Sequence, residues 1–159
     1  MAIVIQGLSI CPICKKTLNS IDENILFPPF VQNTLDSFYL FNDIGVHKNC
    51  LDKHPLGALA KSYLEKIIEK TRPQNLKCDI SGNLISSKDD FLFIDLLCSN
   101  KNEELSNFNF TIIDKKNIAK WAEKEHFLKV ASNFLQEGKW KSFSSFNYLQ
   151  YLINEICKY

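Results

Sequence analysis

Glycine is scarce in this chain, with five in 159 residues. That leaves little room for a glycine-rich loop able to cradle phosphates, and none is present. There is no His-Glu-x2-His helix and no nucleophile elbow. Charge of one sign is not in excess either: 19 basic against 18 acidic side chains leave +1. Residues 1–77 carry a net +2 and residues 78–159 a net −1. Neither part has the polycationic character that is the usual electrostatic footprint of nucleic-acid binding. No stretch approaches the roughly 18 consecutive apolar residues of a membrane span. The opening run Met1-Ala2-Ile3-Val4-Ile5-Gln6 lacks the basic flank and the length of a secretory signal. These absences predict a soluble, cytoplasmic protein without a membrane association, for which nucleic acid is a poor partner.

What is present is bulk for a core. Hydrophobic residues make up 45% of the chain, with twelve Phe, five Tyr and two Trp. That composition suits one domain or two small ones packed together, and argues against disorder. Residues 2–6 read as a short strand, and Ser37 to Phe41 as an aromatic strand. Residues 25–31 are apolar but interrupted by Pro28 and Pro29, which makes them a loop or an edge strand. His47 opens a short helical turn that must stop near Pro55. Ala60, Tyr63, Leu64, Ile67 and Ile68 fall at helical spacing over about 57–71, and Arg72-Pro73 ends that helix. Residues 91–97 and 108–113 look like strands. Asp114 is placed to cap one helix carrying Ile118, Ala122, Phe127, Val130, Ala131 and Phe134 as far as Gly138. A last helix is expected over about 144–157.

Six cysteines in a chain without a secretory signal point to metal binding or burial rather than disulfides. Their spacing separates them into two sets. Cys11-Pro12-Ile13-Cys14 is a Cys-x2-Cys turn, and His47 and Cys50 stand three apart, on one face of a helical turn. Thiolates with an imidazole form the tetrahedral donor set that zinc prefers. Cys11, Cys14, His47 and Cys50 are therefore the expected ligands of one zinc ion. Four protein donors would close its coordination shell, which marks a structural rather than a catalytic ion. His54, four residues after Cys50, competes with His47 for the fourth position, and Pro55 distorts the turn there.

A two-ligand turn followed by a two-ligand helix start resembles the treble-clef family of zinc modules, over roughly residues 8–54. The same donor order occurs in the first finger of LIM domains. The gap between Cys14 and His47 is long for LIM, however, and no second cysteine pair follows Cys50 directly. The resemblance implies the architecture and the ligands and no LIM function.

Sliding the sequence by 67 residues lays Cys11 on Cys78, Cys14 on Ser81, His47 on Asp114 and Cys50 on Asn117. Phe41 then meets Phe108 and Lys48 meets Lys115. We read this as a tandem duplication, or as two related modules, in which only the first retains a good zinc site. Cys78, Ser81, Asp114 and Asn117 are a poor zinc set, and hydrophobic packing is expected to replace the second ion. The fold expectation is thus α+β: treble-clef-like units with short antiparallel strands at 1–55 and 76–124, packed against several helices. In domain terms, 1–72 is the zinc unit plus its helix, and 73–159 is the degenerate unit plus C-terminal helices, in one body.

Little else speaks for chemistry. Cys78, Cys98 and Cys157, with His126 or His54 as base, are the available thiol–imidazole combinations, and nothing nearby activates a thiolate. Lys139-Trp140-Lys141 with Phe143, Phe146, Tyr148 and Tyr151 has the make-up of a base-stacking surface, or equally of an amphipathic core helix. The expectation is a protein that is not an enzyme and acts by binding another protein. Its size, its lack of catalytic residues and its Asn/Lys/Ile-rich composition resemble small bacterial immunity proteins, which implies a toxin domain as the partner. A nucleic-acid-binding zinc protein is the alternative.

Overall fold

Each of the four described strands is four residues long, because a proline, a polar turn or a helix closes every apolar run. The computed structural model describes residues 2–19, 23–85 and 90–159. In chain order it contains β1 (Asn24–Phe27), β2 (Ile44–His47), α1 (Lys48–Lys53), α2 (Gly57–Thr71), β3 (Phe91–Ile94), β4 (Thr111–Asp114), α3 (Lys124–Gln136) and α4 (Tyr148–Ile156). Strands β1 and β2 form one antiparallel hairpin, with Asn24 opposite His47 and Phe27 opposite Ile44. Strands β3 and β4 form another, with Phe91 opposite Asp114 and Ile94 opposite Thr111. Helices with short antiparallel strands make this an α+β protein.

The 67-residue interval recurs throughout the backbone. Strand β1 starts at 24 and β3 at 91; β2 starts at 44 and β4 at 111; α2 starts at 57 and α3 at 124. Isolated bridges join Ile10 to Thr17 and Lys77 to Leu84. Positive φ angles fall at Lys15 and Gly82, and again at Asp43 and Phe110. Asn42 accepts the backbone N–H groups of Phe30 and Val31 through Oδ1, and Asn109 does the same for Leu97 and Cys98. A side-chain amide that satisfies two loop N–H groups holds a connection that has no ladder of its own.

Several expectations from local pattern give way to tertiary packing. Residues 2–5 form no strand. The aromatic run Ser37–Phe41 is a 3₁₀ helix, begun by Asp36, whose carboxylate accepts the Phe38 N–H at 2.9 Å. With three residues per turn, Phe38 and Phe41 share one face and are both buried. The equivalent turn Glu104–Phe108 buries Leu105 and Phe108 in the same way. Strand β3 stops at Ile94 and β4 begins only at Thr111. The single helix expected after Asp114 is two: a 3₁₀ segment, Lys115–Lys120, capped by Asp114, and then α3. The final helix starts at Tyr148, where the Asn147 side chain caps it by accepting the Gln150 N–H.

Each unit has its own core, and the volumes are exchanged between them. Phe27, Phe30 and Phe38 of the first core correspond to Ile94, Leu97 and Leu105 of the second, while Ala60 on α2 corresponds to Phe127 on α3. Bulk lost from the hairpin loops is returned by the helix, as close packing requires. Helix α4 completes the second core with Leu149, Leu152, Ile153 and Ile156. The units are fused along a seam. Leu96 and Phe110 enter the first core, Leu96 N–H bonds to the Phe30 carbonyl at 3.0 Å, and Asp36 accepts the Ser99 N–H at 2.7 Å. Buried Asn33 donates to the Lys139 carbonyl and accepts from Lys141 N–H, which ties the first unit to the segment before α4.

Candidate metal centre

The first half of the site is a turn. Cys11 N–H bonds to the Lys16 carbonyl and Lys15 N–H to the Cys11 carbonyl, both at 2.9 Å, and Lys15 takes φ 62° so that the chain can double back. This geometry turns the thiols of Cys11 and Cys14 to the same side. The second half comes from the junction of β2 and α1. His47 is the last residue of β2 and the N-cap of α1, and Cys50 lies in its first turn. Leu51 behind it is fully buried and anchors that turn. Gly57, at the start of α2, passes so close that a Cβ there would lie 1.8 Å from the Leu51 carbonyl oxygen. Only glycine allows α2 to pack this tightly behind the ligand-bearing turn.

The four donor atoms of Cys11, Cys14, His47 and Cys50 all lie within 4.8 Å of one another. Around tetrahedral zinc, S···N and S···S separations are about 3.6 Å and about 3.8 Å. His47 Nδ1 stands 3.4 Å from Cys14 Sγ and 3.8 Å from Cys50 Sγ, so it occupies one corner of such a shell. Its other nitrogen, Nε2, is 3.1 Å from the Thr17 carbonyl oxygen. A carbonyl only accepts, so the proton resides on Nε2 and the Nδ1 lone pair faces the sulfurs. That outer contact sets the tautomer and the ring orientation a metal ligand needs.

The electrostatics call for a cation. Burial opposes ionisation of Cys11, yet the N–H groups of Cys14, His47 and Ile13 outweigh it and lower its pKa to about 6. Cys50 moves the other way, up to about 11, first through desolvation and then through its neighbours Cys14 and Cys11. Without a positive charge, thiolates this close cannot all ionise; a divalent ion reverses that. The arrangement is suited to hold one metal ion, and its three sulfurs and one imidazole suit zinc. Cys11 is buried, while Cys14, His47 and Cys50 are half-buried beside a depression of about 390 Å³ that Lys16, Glu23 and Lys48 also border.

His54 does not compete for the ion. Its Nδ1 accepts the Leu56 N–H at 3.2 Å, and its ring stands edge-on to Phe41.

The counterpart cluster is brought together as well, without a metal's donor set. Cys78 Sγ accepts the Asp114 backbone N–H at 3.3 Å and Asn117 Nδ2 at 3.5 Å. Asn117 Nδ2 also donates to Ser81 Oγ at 3.3 Å. The buried Asp114 carboxylate is taken up by Lys116 instead, accepting its N–H at 3.2 Å and pairing with its Nζ at 2.8 Å. The Cys78 pKa is lowered although burial opposes it, by the N–H groups of Asp114, Ser81 and Ile80. These are the 67-residue counterparts of the groups that act on Cys11. The sulfur cradle is therefore retained, and a hydrogen-bonded amide stands where the first unit has Cys50. Hydrogen bonding at this corner adds to the hydrophobic packing expected from the sequence, for Cys78 is buried in a cluster with Leu76, Ile85 and Ile112.

No protein-family model matches the chain, and no curated protein or solved structure is significantly similar to it.

The remaining candidate residues are placed away from any such cluster. Cys98 is buried, and burial raises its pKa, the opposite of an activated thiolate. His126 is exposed, 3.4 Å from Glu104 Oε2 and beside the Phe108 ring. Trp140 is buried and donates to Ser142, so it offers no face for stacking. Lys139 is paired with Glu103 and Glu137. Two features have no signature in the sequence: the Thr17 carbonyl behind His47, because it is a backbone group, and the Asp95 carboxyl, because the groove it lines is built from distant segments. Among the described residues no helix is long and apolar enough to cross a membrane.

Proposed function

We propose that this is a non-enzymatic binding protein whose first unit is built on one structural zinc ion and which acts by protein–protein interaction. The observation that carries the reading is the closed donor set of Cys11, Cys14, His47 and Cys50. It uses all four tetrahedral positions and leaves none for a substrate or an activated water. We read the two units as treble-clef-like modules, the second a duplicate that has exchanged its ion for the hydrogen bonds of Asn117. A partner surface is offered by the segment leading into the knuckle, where Ile3, Ile5, Leu8 and Ile10 are all exposed, Ile3 at 87% and Leu8 at 72%. Several large apolar side chains left in water within eight residues are the mark of an interaction site. An immunity protein that neutralises a bacterial toxin is the specific form we favour.

The test has two arms. Native mass spectrometry of the purified chain is expected to show one zinc. Affinity capture from the source cells is expected to yield a stoichiometric protein partner that is lost in the Ile3→Ser/Leu8→Ser variant while the zinc and the melting temperature stay unchanged. Recovery of nucleic acid with steeply salt-dependent binding would instead support the nucleic-acid reading, and a chain without zinc would overturn the metal assignment.

A further inference from the structure

Along the seam between the two units runs a groove of about 450 Å³, walled by Leu26 of β1 and Pro28 and Pro29 after it, by Leu64 and Ile68 of α2, and by Phe93 of β3. Its size is in the range of small-molecule sites. The wall is mostly apolar; its polar side chains are Thr71, whose hydroxyl donates to the Ile67 carbonyl, and Asp95, which carries the one charged group. Among the described residues Asp95 has no ion-pair partner; its carboxyl receives only the Gln32 amide, Nε2 to Oδ2, at a long 3.4 Å. Desolvation raises its pKa to about 7, with Gln32 the one opposing influence. The neighbouring Tyr148 hydroxyl is committed to the Phe93 carbonyl.

Nothing in the fold demands an acid here. The equivalent position in the first unit is Pro28, and Leu26 stands where the second unit has Phe93. An unpaired carboxylate at an apolar wall is costly, and a desolvated acid in a cleft is a mark of a binding site. A ligand that answers both features has an apolar chain for the groove and a cation for Asp95. We propose that the groove binds a small alkylammonium ligand, its chain against Leu26, Leu64 and Phe93 and its ammonium on the Asp95 carboxylate. This goes beyond the zinc-module reading and does not depend on it.

The test is an NMR titration of the zinc-loaded protein with n-hexylammonium in mildly alkaline buffer, alongside n-hexanol and hexanoate. The expected result is saturable shifts confined to the residues of the groove, with n-hexanol weaker by about tenfold or more and hexanoate inactive. Asp95→Asn, which keeps the shape and removes the charge, is expected to weaken hexylammonium by a similar factor. Ile68→Lys, at a half-exposed position of the rim, supplies an internal ammonium and is expected to abolish binding while the melting transition stays cooperative. Absence of saturation, equal affinity for the alcohol and the amine, or an unchanged affinity in Asp95→Asn would each overturn the proposal.

Discussion

At the scale of single residues, His47 does the most with the least. One ring faces three sulfurs through Nδ1 and a backbone carbonyl through Nε2, and the same residue ends a strand and starts a helix. His47→Ala removes a ligand and the tautomer contact together. We expect the variant to lose its zinc, with a fall in stability of several kcal/mol, since structural zinc supplies folding free energy outright; zinc content and thermal melting measure both. Asp95 makes a prediction of the opposite kind. Its folded pKa, about 7, lies above the ordinary 3.8, so the native state holds this proton more tightly than the unfolded chain. The stability it contributes is complete below the unfolded pKa and is lost as pH rises through the folded one. The facing groups, the Gln32 amide and the Tyr148 hydroxyl, carry no charge in that range. Between about pH 4 and pH 7 the native protein should lose on the order of 2 kcal/mol from this group, after allowance for water reaching it along the groove. Denaturant midpoints of wild type and Asp95→Asn across this window check it: the difference between the two proteins should change with pH, the variant gaining relative stability at the alkaline end.

At the scale of elements, the two hairpin-and-helix units are a natural experiment in what a metal does. Both hold a cysteine in the same cradle of N–H groups, and both place a capping residue three positions before the fourth corner. One closes the corner with the Cys50 thiol, in a donor set placed to hold a cation, and the other with the Asn117 amide. The backbone needed for coordination is thus still in place in the second unit. Ser81→Cys/Asp114→His/Asn117→Cys is expected to raise the zinc content from one to two ions per chain, read by native mass spectrometry, with cobalt substitution reporting tetrahedral thiolate ligation in both sites. A folded triple variant that still holds one ion would show that the cradles differ more than their hydrogen bonds indicate. Gly57 marks a difference between the units: its place is taken by Lys124 in α3, so only α2 is forced against the ligand-bearing turn.

For the whole molecule, the question is how far the loss of one ion travels. The first core leans on the knuckle, since Cys11 itself is one of its buried members. The second core is built from hydrophobic side chains of β3, β4, α3 and α4 and contains no ligand of the ion. Leu96 and Phe110 are the second unit's contribution to the first core, and Lys70 reaches back from α2 to Asp79 and to the Phe110 carbonyl. Chelation should therefore act unevenly. In hydrogen exchange, amides of β1, β2 and α1 are expected to lose protection first, those near Leu96 and Phe110 next, and those of α3 and α4 last. Uniform loss across the chain would mean that the seam makes both units one cooperative body.

How much of this is legible in the amino-acid sequence divides along physical lines. The four candidate metal donors are visible because their chemistry is carried by rare residue types at spacings set by turn and helix geometry, which act over a few residues. The helix over 57–71 is visible for the same reason, since its apolar stripe and its Pro stop are local. The 67-residue register could be seen through Cys78, Phe108 and Lys115, and the backbone recurs with it, because equivalent turns need equivalent residues. What local pattern misplaces is the state of short apolar runs. Ser37–Phe41 has strand-forming residues but becomes a 3₁₀ turn, because the core has room for two rings on one face and Asp36 caps the turn. The helix after Asp114 divides for a similar reason, its first part copying the ligand-bearing turn of the other unit. The candidate donors were named by the sequence alone, while the choice of His47 over His54 came only with packing, which commits His54 Nδ1 to the Leu56 N–H. Which histidine nitrogen meets the sulfurs, what fills the second corner, and where an unpaired carboxyl meets an apolar groove were settled only when residues distant in sequence were packed together, because each depends on a partner that no local window contains.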